Sequence, residues 1–366
     1  MTRTWLRQIS AVIRLEWKKT FFAKRGLWIY LLALMPLALF LAHAVSVQYR
    51  KGALEGLARG NQKSLTAQDL ASISKGMSRQ EVIERLGKPP SAHSWDEPRQ
   101  DESGQSHVVV NEVYHYSDGV DDLHVKFEDG TVTGTSLGQN ESLGEDTVVF
   151  AGVFQFFYLR LAIFFGCLGI FMNLFRGELL DKSLHFYFLA PIRRDVLMIA
   201  KYCAGLLAAT VIFVTSEALQ FMAFCWSFDS QALASYLYHG HGLAHLAAYL
   251  GITALACLGY GSLFLAAGLW FRNPILPAAV ILIWEALNPF LPSVLQKISV
   301  IYYLKSLCPV EIPTAPGTPA IFAMLISNPD PIAAPVAILG VILVSIAILA
   351  LSSRRVRRME INYTTE

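Results

Sequence analysis

The chain has 366 residues, of which 54% are hydrophobic and 16% are charged. A soluble domain has roughly 25% charged residues, so this composition excludes a water-soluble protein with a single core and predicts segments that face lipid. The net charge of +2 is too small to indicate a nucleic-acid partner. Five cysteines, none of them between residues 48 and 148 and none in a CxxC or Cys/His spacing, predict neither a disulfide in that region nor a metal site.

Six stretches are apolar over about 20 residues, the length that a helix needs to cross a membrane. In chain order they are Leu27 to Val47, Val148 to Leu174, Val196 to Trp226, Leu243 to Phe271, Ile275 to Leu291 and Ile332 to Leu351. The fifth is short and contains Pro277 and Pro289. The sequence therefore predicts an α-helical polytopic membrane protein with six transmembrane helices, the first at residues 27–47 and the others within residues 148–352.

Lysine and arginine are concentrated in the flanks that an even number of crossings places on one side of the membrane. These residues are Arg3, Arg7, Arg14, Lys18, Lys19, Lys24, Arg25, Arg176, Lys182, Arg193, Arg194, Arg272, Arg354, Arg355, Arg357 and Arg358. The loop between spans three and four has no lysine or arginine. The pattern predicts a multi-pass protein of the inner (plasma) membrane with both termini in the cytoplasm. Residues 353–366 are then a basic cytoplasmic tail, and residues 48–147 are periplasmic or extracellular.

Residues 1–26 have the spacing of an amphipathic helix that lies in the lipid headgroup region. One face of the helical wheel is apolar and the opposite face is basic. The apolar face contains Trp5, Leu6, Ile9, Val12, Ile13 and Trp17, and the basic face contains Arg3, Arg7, Arg14 and Lys18. The alternative is a solvated basic tail, and the two tryptophans on the apolar face favour the interfacial helix.

Residues 48–147 are polar and contain no spanning run, which predicts a folded domain outside the membrane. Thr66 and Ser78 have the sequence context of helix N-caps, and Ser78 with Glu81 forms a capping box. The second helix is predicted to end at Leu86, before a glycine. The strand-like runs after it are His107 to Tyr116, Leu123 to Phe127 and Thr131 to Leu137, with an Asp129-Gly130 turn between the last two. We expect a small α+β domain with two helices and a three-stranded antiparallel sheet.

Two parts of this domain resemble the SmpA/OmlA type of domain. The segment Ile73-Ser-Lys-Gly-Met-Ser-Arg-Gln-Glu-Val-Ile-Glu-Arg-Leu-Gly-Lys-Pro-Pro90 is similar to the family's G-M-(S/T)-x-x-(E/Q)-V helix that ends in L-G-x-P. The segments Tyr114-His-Tyr116 and Leu123-His-Val-Lys-Phe127 correspond to the small antiparallel sheet that follows it. The resemblance implies a module that binds an extracytoplasmic protein and does no catalysis. The domain has no lipobox cysteine, so an outer-membrane role does not carry over.

The membrane part resembles the permeases of type-2 ABC exporters. They have an interfacial N-terminal helix, six spans, an extracytoplasmic insert after the first span and a basic C-terminal tail. The local resemblance is carried by Arg176-Gly177-Glu178, by Leu189-Ala-Pro-Ile-Arg-Arg194 and by Lys201. It implies a cytoplasmic coupling helix over residues 178–189 that docks on an ATPase subunit, and short re-entrant helices between Pro292 and Pro331. The implied coupling residues are Glu178, Lys182, Pro191, Arg193, Arg194 and Lys201.

The residues alone leave two interpretations of this cytoplasmic segment, a helix that transmits a push from a partner and a loop whose arginines only enforce orientation. The chain contains no G-x-x-x-x-G-K-(S/T) loop, so ATP and Mg²⁺ are expected on a separate ATPase subunit, with no cofactor in this chain. Six spans are half of such an exporter, which implies a second permease copy, identical or different. The expected partners are the ABC ATPase, this second copy, the lipid bilayer and an extracytoplasmic protein.

The predicted function is therefore that of an ABC exporter permease, which is not itself an enzyme and couples ATP hydrolysis in the partner to substrate export. The alternative is a membrane-anchored assembly protein that works through its extracytoplasmic domain. A third class, an intramembrane enzyme, is disfavoured because the spans contain no H-E-x-x-H or G-x-S-x-G motif.

Ionisable residues within spans usually face a partner or a cavity. Arg160 in span two and Glu217 in span three have matched depths, which predicts an ion pair; the alternative is that each faces an aqueous vestibule separately. Glu285 in span five either lines the substrate path or dimer seam, or satisfies a backbone group freed by Pro289. A histidine-rich loop between spans three and four shows no closed set of metal ligands; its residues are Asp229, His239, His241 and His245.

Overall fold

The computed structural model divides the chain into two compact units. The first, called the membrane unit below, is Met1–Leu41 with Thr147–Glu366, and the second, called the inserted unit, is Ala42–Asp146. The structure describes residues 10–16, 26–60, 63–100, 106–118, 121–138, 143–180, 193–228, 230–271, 273, 275–313 and 332–358. The fold is mostly helical, with one small antiparallel sheet in the inserted unit, as the composition predicts.

The described elements follow one another in this chain order. They are α1 (residues 10–16), α2 (Leu27–Gly60), α3 (Ala67–Ala71), α4 (Arg79–Leu86), β1 (Ser91–Gln100), β2 (Ser106–Ser117), β3 (Asp122–Glu128), β4 (Thr131–Gly138), α5 (Leu143–Gly152), a π-helix (Val153–Ile163), α6 (Phe164–Leu180), α7 (Arg194–Trp226), α8 (Ser230–Ala234), a short π-helix (Ser235–His239), α9 (Gly242–Trp270), α10 (Ile275–Leu287), a 3₁₀ turn (Asn288–Phe290), α11 (Ser293–Gln296), α12 (Val300–Ser306) and α13 (Ala334–Arg357).

Within the residues that the structure describes, five helices are long and apolar enough to cross a membrane. They are Leu27–Gly60, Leu143–Phe175, Arg194–Trp226, Gly242–Trp270 and Ala334–Arg357. The predicted fifth span, Ile275 to Leu291, is an apolar helix too short to belong to this group, and its α-helical part, α10, has 13 residues. At 1.5 Å per residue that length is about 20 Å, short of the roughly 30 Å of a bilayer core. The count of six spans therefore stays a prediction.

Ring contacts show how the long helices of the membrane unit run. The pairs are Tyr158–Phe213 (6.1 Å between ring centroids), Phe171–Tyr202 (5.6 Å), Phe154–Tyr249 (4.6 Å) and Phe164–Phe264 (4.9 Å). The first two pairs make α7 antiparallel to the helix run of α5, the π-helix and α6. The last two make α9 parallel to that run. Small residues allow the close approach: a Cβ atom on Gly261 would lie 2.5 Å from the Phe171 ring.

Three basic segments meet at one end of this bundle, called the basic end below. At the start of α7, Asp195 accepts a 2.9 Å hydrogen bond from Arg357, near the end of α13. Two turns further along α7, Lys201 donates to Glu16 of α1 at 2.5 Å. The N-terminal helix, the start of α7 and the end of α13 therefore share one end, as the distribution of lysine and arginine predicts.

Between α9 and α13 the described part of the chain contains two helices, α10 and α12, that contact the long helices. Glu285, in the last turn of α10, meets the first residues of α12 and Tyr260, which lies near the middle of α9. Beyond α12, the Val310 carbonyl accepts a 3.2 Å hydrogen bond from Gln155 of the π-helix, near the end opposite the basic end. We call α10 with α12 the broken helix. Pro289, which has no N–H to donate, lies where α10 gives way to a single 3₁₀ turn.

The inserted unit packs α3 and α4 against one face of a four-stranded antiparallel sheet of order β1-β2-β3-β4. Both predicted N-caps, Thr66 and Ser78, are present, and so is the predicted capping box: the Ser78 N–H donates to the Glu81 carboxylate at 2.8 Å. These hydrogen bonds from Ser78 hold the pKa of Glu81 below its usual value. Thr66 also forms a capping box, with Asp69, that was not predicted from the sequence. The Asp129-Gly130 turn forms as predicted, with φ of 48° and 76°.

The prediction of three strands is wrong by one, because β1 also joins the sheet. Its sequence is polar and contains Pro98, which argues against a central strand. The strand lies at the edge of the sheet, pairs only with β2 among the described strands, and can accommodate a residue that donates no hydrogen bond.

Candidate functional site

Glu217 lies in the middle of α7 and is fully buried. Among the described residues, neither of its carboxylate oxygens has a hydrogen-bond partner. A buried polar group without a partner costs free energy, and a charged one costs far more. A bundle that needed only to be stable would have an apolar residue here.

The neighbours of Glu217 come from three helices. Phe213, one turn before it, contacts Tyr158 of the π-helix at 6.1 Å between ring centroids. Phe221, one turn after it, contacts Phe150 of α5 at 5.7 Å, and Phe150 contacts Tyr249 of α9 at 5.2 Å. The carboxyl group is close enough to the phenols of both tyrosines to interact with them electrostatically. Glu217 thus faces the point where α7, α9 and the π-helix meet.

Further buried polar groups on the π-helix and on α9, within a turn of Tyr158 or Tyr249 in sequence, have unused hydrogen-bonding capacity. Gln155, Tyr249 and Thr253 are buried, and each has an oxygen without a partner in the part of the chain that the structure describes. Tyr158 is also fully buried, and its hydroxyl donates to the Phe213 carbonyl at 2.5 Å. We call Gln155, Tyr158, Glu217, Tyr249 and Thr253 the Glu217 cluster. Unpaired atoms on three helices within one region indicate a binding site better than they indicate a structural network.

The backbone on one side of the cluster is unusual. Val153–Ile163 is a π-helix of 11 residues, whereas most π-helices are single-turn bulges within α-helices. Such segments are rare and occur frequently at functional sites, because the local helix is less stable than an α-helix. Gln155 and Tyr158 both belong to it.

The chemistry of the cluster favours a group that donates hydrogen bonds or carries positive charge. A carboxylate accepts hydrogen bonds only, and the unpaired Gln155 atom is an amide oxygen, which also only accepts. The Thr253 hydroxyl can both donate and accept. The tyrosine hydroxyls both donate and accept. An ionisable group at this depth of an apolar bundle is by default a candidate part of a transport path.

The predicted ion pair between Arg160 and Glu217 is not formed. The Arg160 guanidinium lies 5.5 Å from the centroid of the Phe156 ring and interacts electrostatically with Tyr260 and Glu285. Arg160 follows Tyr158 by two residues, and residues two apart lie on different faces of a helix. Tyr158 faces α7, so Arg160 points away from Glu217.

Glu285 has a structural role of the kind that the second interpretation predicts, but the backbone groups that it satisfies belong to α12 and not to the residues around Pro289. It is buried, and it accepts hydrogen bonds from the Ser299 hydroxyl (2.8 Å) and from the backbone N–H groups of Val300 (3.1 Å) and Ile301 (2.8 Å). The Tyr260 hydroxyl lies 3.5 Å away. The carboxylate therefore caps the N-terminus of α12, where unpaired N–H groups and the helix dipole favour an anion.

Part of the predicted coupling segment is described. Arg193 is the N-cap residue of α7, and its guanidinium donates to Asp195 at 2.9 Å; Arg194 is exposed. Glu178 lies within α6, but its side chain is outside the described part of the structure, as are Lys182 and Pro191.

Lys201 does not lie on the surface that the resemblance implies. It is fully buried and donates to Glu16 at 2.5 Å and to the Leu174 carbonyl at 3.1 Å. In this chain it cannot contact a partner directly. It ties α1 and α6 to α7, so it can act only through the position of those helices.

The sequence alone did not single out Gln155, Tyr158, Tyr249 or Thr253. Polar residues in apolar stretches were the available signal, but which of them converge depends on helix rotation. In the histidine-rich loop, the His245 ring lies 3.1 Å from the Tyr236 hydroxyl and stacks on His241 at 6.1 Å between centroids. Asp229 lies outside the described residues, and among the described residues of this loop no set of metal ligands is brought together.

Comparison of the chain with models of known protein families, with curated proteins and with solved structures finds no match. The resemblances to the SmpA/OmlA domain and to type-2 ABC exporter permeases therefore remain predictions.

Proposed function

We propose that the protein is a transport subunit that moves a solute across the membrane through the helix bundle. The Glu217 cluster is the observation that carries this proposal. An anchor, the alternative function, has no use for a buried carboxyl group with two unpaired oxygens, because an apolar residue in its place is at least as stable. A transport path needs polar groups at membrane depth that are free to bind.

The broken helix supports the same proposal. We propose that α10 and α12 together make the fifth of six crossings, which gives the even number that the charge distribution requires. Non-helical backbone at membrane depth is tolerated only where protein or a water-filled cavity covers it. Discontinuous helices of this kind line the binding sites of many secondary transporters.

We further propose that the protein is the permease of an ABC-type exporter, with its basic end in the cytoplasm. The resemblance of residues 176–201 supports this proposal, as does the way in which the basic end is joined. Arg193 and Arg357 both donate to Asp195, and Lys201 joins α1 to α7. A displacement of the segment before Arg193 would therefore move α1, α7 and α13 together. The ATP-binding partner and a second permease copy are then required.

The test of this proposal is purification of the intact protein from membranes in mild detergent, with identification of the chains that accompany it. The test variant carries Glu178→Ala with Arg193→Ala. The matched control carries Glu55→Ala with Arg59→Ala, an exposed glutamate–arginine pair of the inserted unit joined at 3.3 Å. We expect a Walker-type ATPase in near-stoichiometric amount with the parent and the control, and its loss from the test variant.

A second arm separates transport from assembly. Glu217→Gln leaves the basic end unchanged, so the ATPase should remain bound while the turnover that the permease stimulates falls by tenfold or more. If no ATPase accompanies any sample and extracytoplasmic proteins do, the exporter function is wrong. The inserted unit would then be the working part of an anchored assembly protein.

A further inference from the structure

The face of the sheet opposite α3 and α4 carries two histidines and an aspartate. His115 in β2 and His124 in β3 are direct cross-strand partners, so their side chains project from the same face. Asp122 lies two residues before His124 in the same strand, which places it on that face as well. The adjacent residues Tyr114, Tyr116, Leu123 and Val125 point the other way, into the core.

The three side chains are close together. His124 Nε2 lies 2.8 Å from Asp122 Oδ2, and the His115 and His124 rings are 4.2 Å apart between centroids, edge to face. One donor atom from each of the three residues can be chosen so that all lie within 4.8 Å of one another. Within the described residues this is the one group of histidine, cysteine or acidic side chains that meets that distance.

An imidazole–carboxylate pair alone is an ordinary surface contact, so the third donor and the state of the aspartate decide its meaning. The second carboxylate oxygen of Asp122 is buried and has no hydrogen-bond partner among the described residues. All three side chains are partly buried in the sheet, which limits the rotamer freedom that metal binding would have to remove.

We propose that His115, Asp122 and His124 bind a divalent transition-metal ion, with Zn²⁺ as the ion that fits best. Two imidazoles and one carboxylate are a common ligand set for Zn²⁺, and Zn²⁺ imposes no strong geometric preference of its own. Tetrahedral bonds of about 2.0–2.2 Å place the donor atoms roughly 3.4 Å from one another. That distance lies between the 2.8 Å of the His124–Asp122 contact and the 4.8 Å that bounds the group. Three protein ligands leave at least one position for water or for a side chain of a bound protein.

This proposal is independent of the transport function, because it concerns the inserted unit alone. The absence of a CxxC or Cys/His spacing predicted no metal site there. The register of β2 and β3 brings together residues that are seven and nine positions apart, a spacing that carries no recognisable motif.

The test titrates the full-length, metal-free protein in detergent with two metal ions. Binding of Zn²⁺ is measured by isothermal titration calorimetry, and binding of Co²⁺ is measured by its visible absorption. The variants are His115→Ala, His124→Ala and Asp122→Asn, the last of which keeps the shape of the side chain. His239→Ala, an exposed histidine of the membrane unit, is the control. Circular dichroism shows whether each variant keeps its fold.

We expect one tightly bound ion per chain in the parent and in His239→Ala. Loss of an outer hydrogen-bond partner of a ligand weakens binding by about 10–100-fold, so loss of a ligand should weaken it by at least about 100-fold. The Co²⁺ spectrum should disappear in the three variants. Two results would overturn the proposal: no stoichiometric binding to the parent, or equal affinity in the parent and a folded Asp122→Asn.

Discussion

Two regions of the helix bundle each bury a glutamate, and they treat it in opposite ways. Around Glu285, a hydroxyl and two backbone N–H groups converge on the carboxylate within 3.1 Å. Around Glu217, both oxygens lack a partner among the described residues, although the side chain is fully buried. Both residues lie in apolar segments of similar composition, and the sequence does not distinguish them.

This difference between the surroundings of Glu285 and Glu217 shows that burial of a charge does not by itself indicate function. A buried carboxylate that accepts several hydrogen bonds at a helix N-terminus stabilises the fold, and its role is complete within the chain. A buried carboxyl group without partners destabilises the fold, so its presence calls for a role beyond stability. On this criterion Glu285 is structural and Glu217 is the candidate for function.

The largest effect should come from breaking a buried charge that is paired. Lys201→Met removes one member of the buried Lys201–Glu16 pair, and removal of one partner of a buried pair costs about 3–5 kcal/mol. We expect a large fall in Tm, which tryptophan fluorescence in detergent measures. Lys201→Met combined with Glu16→Met should recover most of the loss, because the double variant buries no charge. Equal Tm values for the single and double variants would show that the pair does not matter.

Glu285→Met should have an effect of comparable size. It leaves one hydroxyl and two backbone N–H groups without an acceptor, and each buried unpaired group costs about 1–3 kcal/mol. The amides of Val300 and Ile301 should exchange faster with deuterium, which mass spectrometry can locate. Unchanged exchange at both amides would contradict the capping role.

These predictions depend on contacts that the sequence does not reveal. The five long apolar helices were predictable because a continuous run of apolar residues indicates contact with lipid. The fifth predicted span is not confirmed by length, because the length criterion assumes an unbroken helix, whereas α10 ends at Leu287 and short elements follow it. The Arg160–Glu217 pair failed for another reason: helix rise gives depth, but the pairing also depends on rotation.

The inserted unit shows the same division between local and long-range information. Its caps and its tight turn were predictable because they depend on residues within three positions of one another. Strand β1 and the group of His115, Asp122 and His124 were not, because both depend on which strands pair and in what register.

A smaller effect should come from Glu81, which caps α4 as Glu285 caps α12 but is exposed to solvent. Its pKa is lowered mainly by the hydrogen bond from the Ser78 backbone, so its contribution is present above the pKa of the unfolded chain. That contribution is lost as the pH falls through the lower pKa of the folded state. Glu81→Gln should therefore speed amide exchange in α4 at neutral pH and make no difference in acid. An equal effect at both pH values would show that the charge is not involved.

Loss of the Ser78 hydroxyl tests the other half of the same capping box. Ser78→Ala should cost about 1 kcal/mol, the usual value for an N-cap, measured as faster exchange of the Glu81 amide. Thr131→Ala, at a hydroxyl that bonds a turn carbonyl at 2.9 Å, is a control on the same unit. If both variants exchange alike at α4, the cap contributes nothing specific.

The most direct test of the central claim is the Tm of Glu217→Met compared with that of Glu285→Met, because methionine has nearly the same length and volume as glutamate. We predict that Glu217→Met has a Tm equal to or above that of the parent, since it replaces a buried polar group without partners by an apolar one. Glu285→Met should have a clearly lower Tm. A fall in Tm for Glu217→Met as large as that for Glu285→Met would contradict the claim, because it would show that Glu217 stabilises the fold.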